Sequence, residues 1–147
     1  MKLNRIVQFL IIALLLTNCT KQKSNNPDTD DMEKIKKLFT VFEVALKKND
    51  YSLYRNVFTE SSTKDDFEKK FGDNYYKNIQ IMNIVFKGEQ IIGDEVAFVN
   101  NVTIAADKYA RDNDEYIGMI RADAVVFTPK EKSVQWKILH MITVHNE

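Results

Sequence analysis

The apolar residues of this chain change period once, near residue 79, and that change limits the fold more than any other feature. Before it, Met32, Ile35, Leu38, Phe39, Phe42, Ala45 and Leu46 recur every three or four residues, the spacing of one helix face. After it, apolar and polar residues alternate over long runs, as in strands with one buried face. Helices followed by strands imply an α+β domain, with N-terminal helices packed on a bent antiparallel sheet of about four strands.

Local signals mark the elements. Asp30 and Glu33 read as a capping-box pair opening the first helix, and Lys48-Asn49-Asp50 ends it. Asp50 is placed to cap a short second helix with Leu53, Tyr54, Val57 and Phe58 on its apolar side. Thr63 opens a third, where Phe67, Phe71 and Tyr75 recur every four residues with Tyr76 beside them, and Gly72 weakens its later half. Strands are expected over 79–91, 95–107, 115–128 and 134–145. Gly93-Asp94 joins the first two as a hairpin, 108–114 is a charged loop and 129–133 a turn.

Alternation then assigns faces. Val96, Phe98, Asn100, Val102 and Ile104 share one side; so do Ile120, Ala122, Ala124 and Val126, and so do Trp136, Ile138, His140, Ile142 and Val144. These sides are expected beneath the helices. Met119, Arg121, Asp123, Val125, Phe127, Leu139 and Met141 fall outward, a face too apolar for plain exposure. Symmetric pairing of the last hairpin sets Ala124 against Ile138 and Ala122 against His140, and places Asp123 diagonal to Lys137 as an ion pair. Small residues opposite large ones predict a hollow, with His140, Asn100, Trp136 and Tyr54 as its ligand-binding candidates. His140 is the sharpest candidate among them, since it stands in the middle of the expected apolar face.

No catalytic residue is assigned, and no metal or cofactor is expected. There is one cysteine, Cys19, and the two histidines, His140 and His145, stand five apart on an expected strand, which turns them to opposite faces. Glycine-rich phosphate loops and nucleophile elbows are absent from the sequence. Lysine and arginine number 21, as do aspartate and glutamate. Without Lys2 and Arg5 of the leading segment, 19 basic face 21 acidic residues, a net of about −2. Nucleic-acid binding, which needs a basic surface, is set aside.

That leading segment has a positive start at Lys2 and Arg5 and an apolar run from Ile6 to Leu16 broken only by Gln8. The run is shorter than the roughly 20 residues a membrane span needs and matches a signal peptide. Leu16-Thr17-Asn18-Cys19 resembles a bacterial lipobox, with Asn18 standing where Gly, Ala or Ser is usual. The resemblance implies a lipoprotein signal peptide over 1–18, a lipidated Cys19 and flexible tether over 19–29, and the folded domain over 30–147. It also implies attachment to a bacterial cell envelope through Cys19; Thr20 in place of aspartate favours the outer membrane.

The domain resembles the nuclear transport factor 2-like superfamily. The likeness rests on Ala45-Leu46-Lys47-Lys48-Asn49-Asp50 with Leu53 and Phe58 after it, on Gly93-Asp94 before Val96-Ala97-Phe98-Val99, and on Trp136-Lys137-Ile138-Leu139-His140. It implies an α+β cone, a ligand site at the open end of that cone and self-association through the sheet. No isomerase acid or base maps to a particular residue. The leading expectation is a non-catalytic lipoprotein domain that binds a small apolar ligand or an envelope protein. A cyclase, dehydratase or isomerase using His140 with Asn100 or a tyrosine is the second; an immunity or inhibitor protein acting through Leu139 and Met141 is the third.

Overall fold

The computed structural model describes residues 28–59, 63–131 and 135–146. The expected signal segment, Cys19 and most of the expected tether lie outside them. The first helix, α1, spans Thr29–Lys48. Its cap is Asp28, which accepts from the Asp31 backbone N–H at 2.8 Å; Asp30, the expected cap, sits in the first turn and pairs with Lys34. Asp28 as the cap and Asp30 in the first turn both place negative charge at the helix N-terminus, where the dipole favours it. The helix ends on Asn49 at φ 53°, whose N–H reaches the carbonyls of the last turn. Helix α2 spans Tyr51–Val57, with Asp50 accepting from Leu53 N–H at 3.0 Å.

Helix α3 spans Lys64–Phe71 and opens on a reciprocal capping box between Thr63 and Asp66. It stops at Gly72, and Tyr75 and Tyr76 enter the first strand instead of continuing the helix. Strand pairing from Asn74 opposite Ala110 outweighs the helical spacing there. Among the described residues the strands are β1 Asn74–Ile92, β2 Glu95–Ala110, β3 Tyr116–Pro129 and β4 Lys137–Asn146. They form one antiparallel sheet in chain order. Gly93, at φ 62°, supplies the positive first position of the β1–β2 turn.

The ladder is interrupted between Lys77 and Gln80, Ile81 and Asn83, and Phe86 and Gly88, and again in the other two pairings. Bulges bend and twist a strand, so a long β1 curves instead of running flat. Asn78 (φ 54°) and Gly88 (φ 82°) occupy two of them, and the Asn78 amide donates to Asp107 at 2.7 Å.

The concave face takes the helices. Phe42 on α1 meets Tyr54, Phe58 and Phe71 with ring centroids 6.1–6.3 Å apart. Tyr54 also stacks on Phe58 at 5.0 Å and meets Phe67 at 4.8 Å. Opposite these rings lie Val102, Ile104, Ile120, Ala122, Ala124, Val126 and Ile138, all buried. The core cluster runs from Ile35 to Met141, so a chain begun at Thr20 keeps every one of its residues.

Arg111 closes one end. Its guanidinium donates to the carbonyls of Leu46 and Lys47 at the end of α1 and of Phe71 at the end of α3. Both helix ends carry partial negative charge, so one cation joins them.

Candidate ligand site on the inner sheet face

The register of β4 is where the structure departs from simple alternation. Ile138 pairs with Val126, but His140 pairs with Val125 and Met141 with Ala124. Leu139 is therefore the extra residue of a bulge, and residues 140–143 change sides, until a second register shift at Arg121/Ala122 returns the strand to its expected parity. Met141, expected outward, is buried at 7% exposure on the inner face, and Thr143 follows it opposite Ala122. His140 and Ile142, expected inward, lie on the outer face with Val125 and Asp123.

A local cause is visible. The Ile138 carbonyl accepts from the backbone N–H of Thr59 at 2.9 Å and from its hydroxyl at 3.1 Å. The end of α2 is thus tied to β4, which stands at one end of the strand order.

Three corrections follow. His140 does not share a hollow with Asn100 and Trp136. Asp123 does not pair with Lys137; it accepts from the Thr103 hydroxyl at 2.7 Å. His140 and His145 pair with Val125 and Arg121, so their strand positions share one parity. Four residues of β3 separate those positions, roughly 13 Å. Among the described residues no group of three or more His, Cys, Asp or Glu is disposed around a common metal position.

Of the other candidates, Tyr54 is packed into the aromatic cluster at 2% exposure instead of lining a cavity. Asn100 and Trp136 do come together. Asn100 lies opposite Val126, which lies opposite Ile138; Phe98 lies opposite Thr128. Continuing the register beyond Phe127 and Lys137 by one residue sets Trp136 beside Thr128. Asn100, Thr128 and Trp136 therefore occupy adjacent rows of one face.

The first two are buried polar residues, at 1% and 3% exposure. Neither Nδ2 nor Oδ1 of Asn100, nor Oγ1 of Thr128, has a hydrogen-bond partner among the described residues. More than nine in ten buried polar groups are paired, and an unpaired one costs about 1–3 kcal/mol. The two lie diagonally across the β2–β3 pair, so their unpaired atoms belong to one stretch of the inner face. Thr128 was not singled out from the sequence. Its signal was its parity with Val126 and Ala124 on an otherwise apolar face.

Trp136, 4% exposed, also lines a surface cleft of about 390 Å³. Leu38 and Val41 of α1 and Val57 of α2 share its apolar wall, and Lys34, Lys37 and Gln135 complete it. The Asp30 carboxylate holds Lys34 by a hydrogen bond that raises the lysine's pKa. Trp136 thus belongs to the buried core and also forms part of the cleft wall. No described helix is long and apolar enough to cross a membrane. The chain matches no family model and no curated protein.

Proposed function

We propose that this chain is a lipid-anchored bacterial envelope protein whose domain is a non-catalytic binder of a small, mainly apolar ligand, built on the nuclear transport factor 2-like plan. The observation that carries the ligand reading is the unpaired amide of Asn100, buried beside the unpaired hydroxyl of Thr128. An amide and a hydroxyl in an apolar setting orient a ligand by donating and accepting at once, while the surrounding surface supplies affinity. The α+β order supports the family reading, and the Leu16-Thr17-Asn18-Cys19 stretch supports the anchor. The enzyme alternative is disfavoured because His140 and Asn100 lie on opposite faces of the sheet.

The test is a native mass spectrum of the chain begun at Thr20, incubated with envelope extract, beside its Asn100→Leu variant. A saturable added mass of a few hundred daltons on the parent, lost from the variant, is the expected result. An unloaded parent after incubation with extracts of several envelopes would refute the reading.

A protein contact through the outer face is the second reading. Val85, Met119 and Ile142 are 43%, 43% and 63% exposed there, and the family resemblance implies self-association through this sheet. A concentration-dependent dimer abolished by Ile142→Asp supports it. A parent that stays monomeric at every concentration removes the homodimer.

A further inference from the structure

The cleft beside Trp136 has a charge pattern that narrows the ligand class. Along the N-terminal half of α1 each lysine but one is matched: Lys34 by Asp30 and Lys36 by Glu33. Lys37 makes no ion pair among the described residues, and it lines the cleft. The cleft therefore presents one uncompensated positive charge above an apolar wall of Leu38, Val41, Val57 and the Trp136 indole. Its volume of about 390 Å³ falls in the range of roughly 300–1,000 Å³ typical of small-molecule sites.

We infer that this cleft takes a monoanionic amphiphile, its carboxylate at Lys37 and its hydrocarbon body on the wall that ends at Trp136. The inference rests on the ligand-binding reading of the domain and adds the chemistry of the head group. One unmatched charge favours a monoanion over a dianion or a cation, because a second negative charge would meet only Lys34, already held by Asp30.

Trp136 is the chain's one tryptophan, so its fluorescence reports on this wall alone. The experiment titrates the chain begun at Thr20 with decanoate and with decanol, below their micelle thresholds, at low and moderate salt. Saturable change with decanoate, weaker binding of decanol, and loss of the difference at higher salt are expected. Lys37→Gln should weaken decanoate roughly three- to tenfold and leave decanol unchanged. Lys36→Gln, which removes a matched lysine outside the cleft, should change neither.

Equal binding of the two probes, or equal effects of the two lysine variants, would overturn the inference. So would a Trp136 signal unmoved by decanoate. If in that case an extract-derived mass still disappears with Asn100→Leu, the ligand-binding reading stands and only the anion-binding cleft is lost. If neither decanoate nor any extract component binds, both fail.

Discussion

Replacing Asn100 by leucine should stabilise the empty domain while removing its ligand. The two side chains share a γ-branched skeleton with the same number of heavy atoms, so leucine can follow the path the amide takes. Asn100 is 1% exposed, faces Val126 across the sheet, and has neither amide atom paired among the described residues. An unsatisfied buried polar group costs about 1–3 kcal/mol, which leucine relieves, and burial of added apolar surface contributes in the same direction. The larger methyl groups oppose this by up to about 1 kcal/mol where packing is tight. The expected net is a gain of about 1–2 kcal/mol, or roughly 3–10 °C in Tm for a domain of this size. Urea unfolding of the chain begun at Thr20, followed by Trp136 fluorescence, measures it. Asn100→Ala serves as the control that removes the amide without adding bulk. If both variants lose more than about 2 kcal/mol, the amide has a structural partner and the argument from its unpaired state is wrong. A site kept polar at the expense of stability is the usual sign of function.

Arg111→Met keeps the apolar stem but loses the donors to Leu46, Lys47 and Phe71; a loss of about 2–4 kcal/mol is expected in urea unfolding, since charge-assisted bonds to two helix ends go together. His140→Ala should leave ligand capture unchanged, because the histidine lies on the outer face; loss of the added mass in this variant would reopen the catalytic alternative. Hydrogen bonds from the Thr63 hydroxyl and backbone N–H hold the Asp66 carboxyl below its ordinary pKa. With the folded value depressed, this stabilisation is complete above about pH 4 and lost as pH falls through the folded value. Asp66→Asn should therefore flatten the acid limb of a stability profile below pH 4, and an unchanged slope would count against the capping box.

Much of the scaffold was legible because it is written in local chemistry. Asp50 and Thr63 cap the helices they were expected to cap, and Gly93-Asp94 turns the first hairpin. These signals work within four residues of chain. Where two local rules conflicted, pairing decided: Tyr75 and Tyr76 keep a helical spacing from Phe71 yet join β1, because Gly72 stops the helix and the edge of β2 is waiting. From sequence Arg111 belongs only to the charged loop 108–114, since neither helix end it joins is near it in the chain.

The candidate site shows the same division more sharply. Asn100 was visible as a polar residue on an apolar strand face, and that parity holds. His140 was placed by the same reasoning and lands on the other side. The alternation of β4 is a property of the strand only while its pairing is unbroken, and the Leu139 bulge breaks it. Thr59, 79 residues away, takes the Ile138 carbonyl next to that bulge.

By itself, then, the sequence determined the order of helices and strands, the caps of α2 and α3 and the turn of the first hairpin, because periods and hydrogen-bonding side chains act over a few residues. Tertiary structure decided which strand face each residue of β4 shows, which polar groups were left unpaired beside Trp136, and which lysine faces the cleft unmatched. Those depend on counting residues across a ladder and on partners brought together only when the sheet closes around α1.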